Sequence, residues 1–269
     1  MRILITGASG FIGGHLIAEA ESHGHNVIAL SRLNLALDSV INHIPWRLGE
    51  LPDLTPFLPI DAVVHLAHDF DEVSSSNRSV DGTLLLFQKL KSLGVARQVF
   101  ISSYSAGRYA ESAYGRLKWK IELAIKNDPS SIIVRPGMVL GDGGIFSRIA
   151  SWVRTSPIVP LPDGGKGKVP IVEVGQLCRD LILLCEAKLN PKNQEFNAFE
   201  EELVSLRDLT RSIAAKAGKK VFIFPIPLVL LLPLLRAAEY FGINLPVSSD
   251  NLIGFKCNQV ASHRSSYEG

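Results

Sequence analysis

The first fifteen residues read Met-Arg-Ile-Leu-Ile-Thr-Gly-Ala-Ser-Gly-Phe-Ile-Gly-Gly-His, and no other stretch constrains the chain as much. Met1 to Thr6 is a short apolar run that predicts a buried strand, while Phe11, Ile12, Leu16 and Ile17 open an amphipathic helix. Between them Gly7, Gly10 and Gly13 form a GxxGxxG turn. The first glycine permits the tight turn, the second lets backbone approach a pyrophosphate, and the third lets the helix lie against the strand. Unpaired N–H groups and the positive end of the helix dipole attract phosphate oxygens at that point. The spacing departs from the commoner GxGxxG, so the strand before it and the helix after it carry the reading. Gly7, Ser9, Gly10, Phe11, Ile12 and Gly13 are therefore candidate contacts to a dinucleotide cofactor.

The strands that follow place further candidates at their C-terminal ends, where open α/β sheets bind ligands. Val27 to Leu30 predicts a second strand and runs into Ser31 and Arg32. An NAD site usually carries Asp or Glu there. A hydroxyl beside a guanidinium suits a 2′-phosphate, so NADP is favoured over NAD, although Arg32 also reads as a solvated loop charge. A weak third strand near Trp46 to Leu48 leads to Glu50 and Leu51, beside the expected adenine. Asp61 to His68 is a nearly continuous apolar run typical of a strand covered on both faces. His65 inside it reads as a satisfied core histidine, and Leu66, Ala67 and His68 at its end line the cofactor. Gln98 to Ile101 then ends in Ser102-Ser103-Tyr104-Ser105. Tyr114 and Lys118 lie four apart on a predicted helix and share a face. A phenol is a poor base at neutral pH, and a nearby ammonium is expected to lower its pKa toward use.

Composition narrows the class. Of 269 residues 46% are hydrophobic, enough for a real core. A net charge of +2 from 28 basic and 26 acidic residues, with no basic block, argues against nucleic acid or an anionic membrane as main partner. Three cysteines cannot all pair and show no metal-ligand spacing, so a reducing compartment and no metal are expected. No secretory leader is recognised, and a cytoplasmic location is expected. Val221 to Leu235 is apolar but shorter than the roughly 20 residues of a membrane span and is interrupted by Pro225, Pro227 and Pro233, which predicts a buried segment.

The blocks Thr6 to Gly13, His65-Leu-Ala67, Ser102-Ser103, Tyr114-Gly-Arg-Leu-Lys118 and Arg135 to Gly141 together resemble the short-chain dehydrogenase/reductase superfamily, in particular its extended branch of sugar-nucleotide epimerases, dehydratases and reductases. The resemblance implies an α/β fold with a Rossmann-type doubly wound parallel sheet and a small C-terminal substrate lobe. It puts a dinucleotide domain at 1–160 and an interleaved substrate lobe at 161–269. It makes Tyr114 the general acid or base and Lys118 the residue that binds the nicotinamide ribose and lowers the tyrosine pKa. Ser103 polarises the reacting oxygen, with Ser102 and Ser105 competing for that role. Ser102, Tyr114, Lys118 and Pro136, Gly137, Met138 and Val139 also pass by the cofactor. The implied reaction is 4-keto reduction or epimerisation of a nucleotide-sugar, in a homodimer. A reductase of a non-sugar carbonyl and a non-catalytic NADP-binding sensor are the alternatives. Departures from the family pattern include Ser79 where asparagine is usual and Val172-Glu-Val174 where Asp-Asp is common. The loop from Pro157 to Lys168 carries two lysines that suit a nucleotide diphosphate, or simply an exposed loop.

Overall fold

The first half of the chain contributes the parallel strands β1 (Arg2–Thr6), β2 (Asn26–Ser31), β3 (Asn42–Pro45), β4 (Ala62–His65), β5 (Gln98–Ile101) and β6 (Ser131–Pro136). The computed structural model describes residues 1–32, 41–70, 77–243, 245–258 and 263–267. Short strands of the second half are β7 (Met138–Leu140), β8 (Ile158–Pro162), β9 (Lys168–Val169), β10 (Ile171–Glu173), β11 (Glu195–Ala198), β12 (Val204–Ser205) and β13 (Phe222–Ile226). The main sheet has the order β11-β6-β5-β4-β1-β2-β3, with every pairing parallel. The chain runs outward from β1 in one direction and then from β4 in the other. That reversal opens a crevice at the C-terminal ends of β1 and β4.

Among the described residues, eight helices cover and extend the sheet: α1 (Phe11–Ser22), α2 (Arg78–Ser92), α3 (Ala113–Ile125), α4 (Gly144–Thr155), α5 (Val174–Cys185), α6 (Leu206–Lys216), α7 (Leu228–Tyr240) and α8 (Ser249–Asn258). Alternation along β1 shows why its run is continuously apolar. Ile3 and Ile5 pack under α1 and α5 with Leu16, Leu177 and Leu181, while Leu4 faces Leu86 and Leu90 of α2 on the other side. All three β1 side chains are fully buried, each worth roughly 1.5–3 kcal/mol, so a slip of one residue in register is strongly disfavoured. Phe87, Phe100, Ile121 and Ile133 join α2 and α3 to the same face. Beyond the sheet, α4 and α6 enclose Val153, Val159, Leu209 and Ile213 in a smaller core, beside the parallel pair β8–β13. From the later half of the chain, β11 pairs with β6 and α5 packs along α1.

Two expectations need correction. The third strand lies at Asn42–Pro45, a few residues before Trp46, and Trp46 instead buries its ring and donates its indole N–H to the Glu50 carbonyl. The segment from Val221 to Leu235 is not buried. Prolines divide it into β13 and α7, and on α7 only Leu235 is buried while Val229, Leu230 and Leu234 are exposed. The main contact of this helix among the described residues is with α8. Among the described residues, no helix is long and apolar enough to cross a membrane.

Candidate active site

The glycine turn is built by close approach. Gly7 has φ +66°, and a Cβ there would stand 2.9 Å from the Ala67 amide nitrogen. The Thr6 hydroxyl accepts the Leu66 and Ala67 N–H groups at 3.1 and 3.0 Å, which ties the ends of β1 and β4 together. At Gly13 a Cβ would be 2.4 Å from the Gly7 carbonyl oxygen, so any side chain would push α1 off the turn. Gly10 caps α1 without a side-chain hydrogen bond, and no acidic residue occupies the first turn. Those amides are left for an anion. Ser9 and Gly10 are exposed at the mouth, with Phe11 and Ile12 half-buried behind them. The Phe11 ring is roofed by Gly141, Gly143 and Gly144, where Cβ atoms would lie 2.6, 2.4 and 3.4 Å from it.

At the end of β2 the Ser31 hydroxyl is buried and shares a 2.9 Å hydrogen bond with His43 Nε2 of β3, while Arg32 is exposed. His43 is a member of this corner that the sequence reading missed. Glu50 and Leu51 are exposed, and the Glu50 carboxylate turns back to accept the Arg47 N–H at 3.1 Å. Gly137 fits against Pro170, whose carbonyl would lie 2.6 Å from a Cβ. It follows buried Pro136 and leads Met138 and Val139 into the β7–β10 pair.

Two histidines on β4 and its extension have different surroundings. His65 is buried, bonds Gln98 at 3.0 Å, and is held neutral with a pKa pushed down to about 4 by burial. His68 meets the Tyr114 ring edge-on at 4.9 Å, and burial, then the Lys118 charge, push its pKa down to about 3. Its buried Nδ1 has no hydrogen-bond partner among the described residues. A buried imidazole nitrogen without a partner is costly, and a ligand group in the crevice would satisfy it.

The serine run separates. Ser102 is buried, and its hydroxyl donates to Glu122, which grips Arg135 through two hydrogen bonds of 3.0 and 2.6 Å. Arg135 also reaches Glu195 at 2.8 Å. The Ser102 hydroxyl therefore points into a buried ionic network. Ser103 and Ser105 stay at the surface of the crevice, their hydroxyls 2.9 Å apart.

Tyr114 and Lys118 share a face of α3 as their spacing requires, with the Lys118 nitrogen 5.6 Å from the Tyr114 ring centre. Lys118 is buried, donates to the Ile101 carbonyl at 2.7 Å and lies 4.9 Å over the Phe100 ring. Burial pushes its pKa down to about 7, partly offset by Glu122. Burial also pushes the Tyr114 phenol up to about 12. The pKa shift of the phenol is thus upward in the isolated chain, against the expected acidification, because loss of water opposes its charged form. The start of α3 is pinned from two sides. Ser112 accepts the Gly115 N–H at 3.1 Å, and Asp250 of α8 accepts the N–H groups of Ala113 and Tyr114 at 2.6 and 3.2 Å. Nothing in the sequence around Asp250 announces this contact. Glu239 of α7 in turn accepts the Ser249 N–H at 2.6 Å. Beside α8, a cleft of about 370 Å³ is lined by Pro162, Asp163, Lys166, Leu228, Phe255 and Lys256.

The sequence model of the NAD dependent epimerase/dehydratase family matches residues 3–187. The chain belongs to that family. A UDP-glucose 4-epimerase of Vibrio cholerae is 27% identical over 265 residues, covering 84% of this chain and 79% of its own. A dTDP-4-dehydro-6-deoxy-D-allose reductase of a Streptomyces species is 26% identical over 272 residues, covering 81% of each. The solved structure of MoeE5 in complex with UDP-glucose and NAD superposes with a TM-score of 0.68 at 25% identity, over 84% of this chain and 85% of that one. This member of the NAD dependent epimerase/dehydratase family is thus an enzyme with the family's Rossmann-like sheet. Its residues fit the family's dinucleotide: the side-chain-free cradle at Gly7 and Gly13, the uncapped start of α1 and the partnerless His68 nitrogen all face the crevice.

Proposed function

We propose that this enzyme moves a hydride to or from a ring carbon of a nucleotide-activated sugar, in a 4-keto reduction or an epimerisation. The observation that carries the reading is the grouping of Tyr114, Lys118 and the Ser103–Ser105 pair beside the crevice roofed over Gly7 to Gly13. When bound, the nicotinamide dinucleotide supplies the hydride chemistry. Gly7, Ser9, Gly10, Phe11, Ile12 and Gly13 would hold its pyrophosphate, and Leu66, Ala67, His68 and Pro136 to Val139 its nicotinamide half. Ser31, Arg32 and His43 form the corner for the adenine ribose, with Glu50 and Leu51 toward the base. The imidazole and guanidinium there, with no carboxylate beside them among the described residues, support a preference for NADP. Ser103 donates a hydrogen bond to the sugar oxygen, and Tyr114, kept protonated by burial, gives its proton to that oxygen as the carbon is reduced. Lys118 lies close enough to stabilise the phenolate left behind. Lys166 in the lobe cleft suits the substrate diphosphate.

Calorimetric titration tests this. NADPH is expected to bind more tightly than NADH, with the difference lost in Arg32→Ala, and the loaded enzyme is expected to bind a uridine or thymidine diphosphate sugar saturably. Binding of neither dinucleotide overturns the reading. Leu228 and Phe255 in the cleft favour one rival, reduction of a non-sugar carbonyl, which turnover of a hydrophobic ketone and of no nucleotide-sugar would establish.

A further inference from the structure

At the edge of the sheet opposite the crevice, two helices finish side by side. α1 is followed by His23 as its C-cap, and α5 by Glu186 as its C-cap. Gly24, at φ +73°, turns the chain so that His23 and His25 both face Glu186. His25 Nε2 lies 3.0 Å from Glu186 Oε1, and His23 Nδ1 lies 3.6 Å from the same oxygen. One donor atom from each of the three residues lies within 4.8 Å of the other two. We propose that His23, His25 and Glu186 bind a divalent transition-metal ion of the zinc type, which fastens α1 and the start of β2 to the end of α5.

Four features converge on that ligand. Zinc ligands at bond lengths of about 2.0–2.1 Å stand about 3.3 Å apart in a tetrahedron, and the two carboxylate–imidazole distances bracket this value. Two imidazoles and one carboxylate are a donor set suited to zinc, with water as a fourth ligand. The outer atoms of two of the groups have partners of their own. Glu19 stands 3.3 Å from His23 Nε2, and the Lys188 ammonium 2.8 Å from Glu186 Oε2. Outer contacts of this kind orient ligand side chains and leave the inner atoms for the ion. Finally, the C-terminal ends of two helices bring their partial negative charges to one place, which favours a cation. His25 and Glu186 are nearly buried, their side chains 7% and 10% exposed. The sequence concealed the site because Glu186 stands 161 positions from His25, and neither Cys178 nor Cys185 takes part.

The test uses untagged full-length protein, stripped with a chelator, titrated with Zn²⁺ by calorimetry and with Co²⁺ by visible absorption. One ion per chain is expected, with cobalt bands of nitrogen and oxygen ligation, no thiolate charge-transfer band, and a higher Tm with zinc. His25→Gln and Glu186→Gln are each expected to weaken binding at least about tenfold, and His15→Gln to leave it unchanged. No saturable binding below about millimolar ion overturns the proposal and leaves a cluster of histidine–carboxylate hydrogen bonds. Binding that survives both substitutions, or a thiolate band, puts the ion elsewhere and overturns it equally. Circular dichroism of each variant separates a lost site from a lost fold, and Glu186→Gln decides the matter if His25→Gln does not fold.

Discussion

Tyr114 and His68 face each other across the crevice, and burial acts on both in the direction of neutrality. Removing the phenolic oxygen by Tyr114→Phe is expected to lower kcat by about 10²- to 10⁴-fold while dinucleotide affinity stays within about twofold, measured by turnover and calorimetry on the same preparation. The histidines predict an acid limb. His65 and His68 have folded pKa values of about 4 and about 3, below the 6.5 of a free imidazole. Below pH 6.5 the unfolded chain therefore binds more protons than the native one, and stability falls as pH drops from there toward 4. Urea titrations across that range are expected to show the loss, and His68→Phe to make it shallower. The shared face of Tyr114 and Lys118 could be read from four-residue spacing, because a helix brings residues four apart together. The direction of their pKa values could not, since it depends on how much water the surrounding fold removes. Ser102 and Ser103 look alike in sequence, and only strand alternation together with the distant Glu122 separates them.

At the scale of elements, the helix that carries Tyr114 and Lys118 is positioned from outside itself. Asp250 takes the first two N–H groups of α3 and so fixes where the tyrosine backbone sits. Asp250→Ala is expected to cost about 1 kcal/mol of stability in chemical denaturation, as loss of a cap does, and to lower kcat more than it raises KM. Asp250→Asn keeps one carbonyl acceptor and is expected to recover part of the loss. β1, α1, β4 and α3 were legible because their apolar periods and boundary residues are local. The exposed face of α7 was not, because its composition reads as core while its exposure depends on where distant elements lie.

For the whole molecule, the family resemblance implies a dimer through a four-helix contact, and α2 and α3 expose Leu85 and Leu123 where such a contact would form. Leu85→Glu is expected to convert a sedimenting dimer into a monomer with an unchanged circular dichroism spectrum, and an unaltered sedimentation coefficient would count against that surface. The order of the sheet was legible only as a class. That β11, from residues 195–198, closes the edge beside β6 depends on a connection too long for local pattern to reveal.

The contact from Asp250 to the start of α3 also bears on how such enzymes can be re-engineered. Exchange of the C-terminal lobe is a natural route to a new substrate, since the motifs for cofactor and proton transfer all lie before residue 145. In this chain the exchanged piece would include the carboxylate that seats the tyrosine helix, with Glu239 and Ser249 behind it. A chimera that lacks an acceptor at position 250 would keep every recognised motif and bind its cofactor, yet work poorly, and restoring that one carboxylate would be the first repair to make.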